Sequence, residues 1–116
     1  MVASTAPPGP GLLFTGGPIL TMSEPARVEA LAVRGDRIVG AGSLAECRDI
    51  LGADRRELDL AGRCLLPGFV DAHVHGDLPL LADPLHEQGV RQGVTTHVIG
   101  QDGVAFAPAS FCAASD

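Results

Sequence analysis

His73 and His75 stand one residue apart at the end of an apolar run, and two imidazoles at that spacing suit a shared metal ion. On a strand, side chains alternate faces, so Phe69, Asp71, His73 and His75 fall on the same one. The two rings then lie roughly 7 Å apart along the strand at ~3.3 Å rise per residue, within reach of one ion at Zn–N bonds of ~2.0–2.1 Å. The residues before them, Cys64, Leu65, Leu66, Phe69 and Val70, read as a buried central strand whose entry is punctuated by Pro67-Gly68. A bare His-x-His also arises by chance on solvated strands. Its place after a buried run, with Asp71 in phase, favours the metal reading.

A third candidate comes from Gly100-Gln101-Asp102-Gly103. Glycines on either side of an acid let the backbone turn tightly and swing the carboxylate toward an ion. Taken alone the same four residues make an ordinary turn. Asp71 is either an acceptor that orients His73 or a carboxylate satisfied by backbone N–H groups near the strand end. Asp77 continues the same phase if the strand runs through Gly76. His97 lies within a strand and reads as packed or hydrogen-bonded, and His86 reads as a solvated helix residue.

The elements that must position these groups follow from local signals. Residues 1–10 are small and proline-rich and are expected to be disordered. Short strands are expected at 12–15, 19–22, 28–33 and 37–42, with Gly35-Asp36 as a hairpin turn. Apolar residues at both parities of 28–33 fit a sheet covered on both faces. Ser43 and Glu46 make a capping box for a helix over 43–52, with Leu44, Cys47 and Leu51 as its apolar stripe and Gly52 closing it. Strands follow at 56–60 and 63–66, joined by Ala61-Gly62. Asp83-Pro84 predicts a second helix reaching Gln92, closed by Gly93, and the β-branched residues 94–99 predict a strand parallel to the first.

Composition removes several function classes. The net charge is −6, and the eight basic residues are scattered arginines without a single lysine. With no basic stripe and no Trp or Tyr for stacking, nucleic acid is not an expected partner. No apolar run approaches the ~18 residues of a membrane span, and the N-terminus lacks a signal-peptide pattern. Three cysteines, Cys47, Cys64 and Cys112, have no paired spacing and read as reduced thiols of a cytoplasmic protein.

The string Leu66-Pro-Gly-Phe-Val-Asp-Ala-His-Val-His75 resembles the first barrel strand of the amidohydrolase superfamily of metal-dependent hydrolases. The segment Gly76-Asp-Leu-Pro-Leu-Leu-Ala-Asp-Pro84 and the later Val90-Arg-Gln-Gly-Val-Thr-Thr-His-Val-Ile-Gly-Gln-Asp-Gly103 are similar to its N-acyl-D-amino-acid deacylase branch. The resemblance covers roughly residues 11–110, with specific motifs at 65–103. It implies an α/β fold: the first two βα units of a (β/α)8 TIM-type barrel over 67–116, preceded by part of a small β-sandwich over 11–66. Such a barrel takes ~250 residues, so 116 are expected to be an N-terminal piece of a longer enzyme.

The same resemblance implies hydrolysis of an amide or related C–N bond in a small-molecule substrate, with a divalent metal, zinc, as cofactor. In the deacylases the loop after the second strand usually reads Gly-Asn-Cys-Gly, and its cysteine is a metal ligand. Asp102 stands at that cysteine's position, so the implied ligands here are His73, His75 and Asp102. Oxygen is harder than sulfur, so the exchange bears on which metal is preferred. The family's His-x-His-x-Asp pattern keeps Asp77 a candidate. The family's general base comes from the last barrel strand, so the chain alone is expected to be inactive. Two other readings stay open: a dihydroorotase-like or other cyclic amidase of the same superfamily, and a non-catalytic truncated product.

Overall fold

A computed structural model describes residues 9–103. Most of the N-terminal tail, and Cys112, lie outside the described residues. The chain divides between Pro67 and Gly68 into two compact units.

The first unit is built on a four-stranded sheet. Its strands are β1 (Gly11–Thr15), β4 (Ala30–Arg34), β5 (Arg37–Gly42) and β6 (Arg55–Asp59), in the order β5-β4-β1-β6. A two-stranded ribbon, β2 (Ile19–Leu20) and β3 (Arg27–Val28), accompanies it, and α1 spans Leu44–Leu51. β1 runs antiparallel to β4, with Leu13 opposite Ala32, and parallel to β6, with Leu13 opposite Glu57. Alternation then sorts the side chains into two cores. Leu13, Ala30 and Ala32 are fully buried with Cys47 and Leu51 of α1, while Phe14, Leu31 and Leu58 pack with Ile19, Val28 and Leu60. The sheet is thus apolar on both faces, as the pattern at 28–33 predicts.

Helix α1 starts where its capping box does. Ser43 Oγ accepts from the Glu46 N–H at 3.3 Å, and Glu46 Oε2 accepts from the Ser43 N–H at 3.0 Å. The bonds from Ser43 hold the Glu46 carboxyl below its ordinary range. Burial pushes the Cys47 thiol up, which suits a cysteine that packs rather than reacts.

Three strand expectations in this unit are corrected. The run at 28–33 is two strands, because Glu29 breaks the ladder and sends its N–H to Gly42 O at 3.1 Å. The strand at 19–22 stops at Leu20, because Thr21 Oγ1 turns the chain by bonding Ser23 O and Pro25 O. The strand at 63–66 is a single bridge between Leu65 and Ile19, since Arg63 N turns back to Leu60 O.

Glu57 on β6 ties the sheet to α1. Hydrogen bonds from Arg48 first and then Arg55 hold its carboxyl down to about 2. A depressed carboxylate contributes stability that is full above the unfolded value of 4.5 and is lost as pH falls toward about 2. Thermal melts of Glu57→Gln against pH should therefore lose less stability between those values than the parent, and the difference should shrink in high salt because the pairs are solvent-facing. Parallel pH profiles of the two proteins would refute the assignment.

The second unit is a strand–helix–strand arrangement: β7 (Phe69–Asp71), α2 (Asp77–Ala82), α3 (Glu87–Arg91) and β8 (Val94–His97), followed by a 3-10 turn, Gln101–Gly103. β7 and β8 are parallel, with Phe69 opposite Val94 and Asp71 opposite His97. Gly68 is required where it stands, because a Cβ there would lie 2.2 Å from Thr95 Oγ1. The helix expected over 83–92 is corrected to a turn and a shorter helix. Asp83 closes α2 by donating its N–H to Pro79 O at 2.7 Å, and its carboxylate accepts from Leu85 N and Glu87 N, the latter at the start of α3. α2 itself was hidden by its proline, which helices tolerate in the first turn where an N–H has no intrahelical partner anyway.

Candidate metal centre

The ladder between β7 and β8 ends where Asp71 O accepts from the Val98 N–H at 2.8 Å. Beyond it Asp71 Oδ1 accepts from the His73 backbone N–H at 3.2 Å and bends the chain. His73 and His75 therefore lie past the strand, not on it, so strand alternation does not set their direction as expected. The bend brings the rings closer than a straight strand would, with centroids 5.7 Å apart and planes at 79°.

Asp102 comes from the other strand's end. It sits in the left-handed region at φ 56°, between Gly100 at 88° and Gly103 at 76°. Aspartate tolerates that region better than branched residues do, and the flanking glycines adopt it freely. Its Oδ2 lies 3.3 Å from His75 Nε2 and 3.8 Å from His73 Nε2. One ligand atom from each of the three side chains lies within 4.8 Å of the others. All three are exposed, so at this spacing the group is a solvent-facing donor set and not a buried ion pair.

The remaining candidates fall outside this cluster. Asp71 makes its bond to the backbone, which is the second of the two roles its position allows. The strand does not persist to Asp77, which instead begins α2. His97 ends β8 and packs edge-on against His86 with centroids 4.9 Å apart. His86 is half-buried at the start of α3 with φ 48°, which corrects its reading as a solvated helix residue. Sequence reasoning passed over Gln101, whose Nε2 donates to Val98 O at 3.1 Å and Ala72 O at 3.3 Å. Its place beside Asp102 in the glycine-flanked loop was the available signal.

No family model matches the chain. The N-acyl-D-aspartate deacylase of Alcaligenes xylosoxydans xylosoxydans is 46% identical over 86 residues, covering 74% of this chain and 16% of that protein. The N-acyl-D-glutamate deacylase of the same organism is 38% identical over 99 residues, covering 84% of this chain and 19% of that protein. A solved D-aminoacylase, described for a binuclear centre with one-metal activation and second-metal attenuation, superposes with a TM-score of 0.70 at 37% identity, over 84% of this chain and 20% of its own. Over most of its own length the chain is similar to N-acyl-D-amino-acid deacylases, and its solved neighbours include metal-dependent hydrolases. It spans a fifth or less of the length of these relatives, 16% and 19% of the two curated ones. The described fold is mixed α/β, and a match over 84% of the chain takes in the histidine-bearing segment quoted above.

Proposed function

We propose that this chain is the N-terminal part of a metal-dependent hydrolase that cleaves the amide bond of an N-acyl-D-amino acid, with His73, His75 and Asp102 as ligands to a divalent ion, zinc. The observation that carries the reading is the convergence of two imidazole nitrogens and one carboxylate from the ends of two adjacent parallel strands. The donor set fits. Two ligands at bonds of ~2.1 Å and a near-tetrahedral angle lie ~3.4 Å apart, and the observed separations of 3.3 and 3.8 Å bracket that value. Nitrogen and carboxylate oxygen also match zinc or a similar borderline ion.

In this reading residues 11–66 form part of a small β-sandwich and 67–116 begin a (β/α)8 barrel, whose sites gather at the C-terminal ends of the strands. A divalent ion held there would polarise the substrate carbonyl and make water a nucleophile near neutral pH. The chain's own contribution is placement. Asp71 bends the backbone so that both imidazoles face one point, and Asp102 supplies a negative charge that offsets the ion's. A cytoplasmic setting belongs to the same reading, and Cys47 and Cys64, which form no disulfide among the described residues, are compatible with it.

Asp102 decides the matter because it is the departure from the family's cysteine. Asp102→Ala should weaken zinc binding at least ~10-fold, and Asp102→Cys should keep zinc while shifting preference toward softer ions such as cadmium. Zinc and cadmium titrations of the three proteins measure this. Unchanged affinity in the alanine variant would remove Asp102 from the ligand set.

A further inference from the structure

The geometry points to Gln101 as a positioning residue that holds Asp102 against the two histidines; this deepens the proposed metal reading and rests on it. The amide nitrogen of Gln101 donates to Ala72 O, one residue before His73, and to Val98 O, just past β8. Both acceptors are backbone carbonyls, so the nitrogen and not the oxygen of the side chain must face them, and both amide protons are used. One side chain thus bridges the loop that carries the histidines and the loop that carries Asp102.

The need for such a bridge follows from the backbone. The parallel ladder ends at Asp71 and Val98, so the two loops leave the strands without further pairing there. Asp102 also sits at φ 56° between two glycines at 88° and 76°, a stretch with little intrinsic preference for one conformation. Gln101 precedes it directly. Fixing the Gln101 side chain to Ala72 and Val98 restricts where the Asp102 carboxylate can swing, and so helps set its 3.3 Å and 3.8 Å separations from the imidazoles. Asparagine is one methylene shorter and would not span both carbonyls from the same backbone position.

The test is cobalt binding to the full chain, read by the visible d–d spectrum, with melting midpoints taken in parallel. Gln101→Met keeps the length and apolar stem but has no donor. It should bind Co²⁺ ~10–100-fold more weakly, as loss of a partner that orients a ligand typically does. Its bands should also weaken and shift as the carboxylate leaves the ion. Gln101→Asn should fall between Met and the parent, and it decides the question if the Met variant does not fold. Parent affinity and an unchanged spectrum in the folded variants would overturn the positioning role while leaving the ligands in place. A parent that binds no Co²⁺, or a His75→Asn variant that binds it equally well, would overturn the metal reading and this inference with it.

Discussion

On the proposed reading, His75→Asn in a longer protein that carries this chain should lower hydrolysis of an N-acyl-D-amino acid on the order of 10³-fold and lower the metal content. The size follows from the chemistry: an ion that stabilises developing charge contributes several kcal/mol, and each ~1.4 kcal/mol is tenfold in rate. His75 is the better test of the two histidines because its Nε2 lies nearer Asp102, at 3.3 Å against 3.8 Å for His73. Asparagine keeps a polar side chain in the bend but withdraws the ring nitrogen. Metal content by atomic absorption should fall with the rate. A variant that turns over at the parent rate with full metal would show that the cluster serves no ion.

The second large effect is an absence of activity. The 116-residue chain assayed alone with zinc should release no free amino acid from N-acyl-D-methionine above background. Among the described residues only His73, His75 and Asp102 form a group able to hold a metal, and on the proposed reading the general base, a role that typically contributes ~10²–10⁴-fold, lies on a later barrel strand. β7 and β8 pair only with each other among the described residues, leaving open strand edges. Large apolar side chains on the same unit, Leu78, Leu81, Leu85 and Val90 among them, are exposed. Asp102→Ala is the control. Turnover by the parent chain that disappears in that variant would mean that a smaller or assembled site suffices.

Local signals made some elements legible and long-range ones hid others. The capping box and Gly52 mark the two ends of α1 because the groups in each lie within a few residues of one another, and Gly35 at φ 60° turns β4 into β5 where the sequence marks a hairpin. The helices of the second unit were misplaced because Asp83 serves two neighbours at once, ending α2 with its backbone and starting α3 with its carboxylate. The site residues were readable by type, whereas their geometry was not. Alternation depends on a ladder that continues, and this one stops at Asp71. Hydrophobicity misled in a similar way. Phe69 and Val70 read as a buried strand but are 54% and 60% exposed, because an apolar side chain states what it would bury against and not whether that partner is at hand.

The parallel register of β1 with β6 has a consequence for synthesis on the ribosome. Gly11 lies beside Arg55 and Thr15 beside Asp59, whereas β4 and β5 close on each other across two residues. The first of these four strands to be made is therefore an interior strand of their sheet, and its second neighbour is the last of the four to be made. Until translation has passed Asp59, β1 keeps one row of backbone donors and acceptors unpaired beside Leu12, Leu13 and Phe14. The nascent chain must carry that open edge through the whole length of the hairpin and α1.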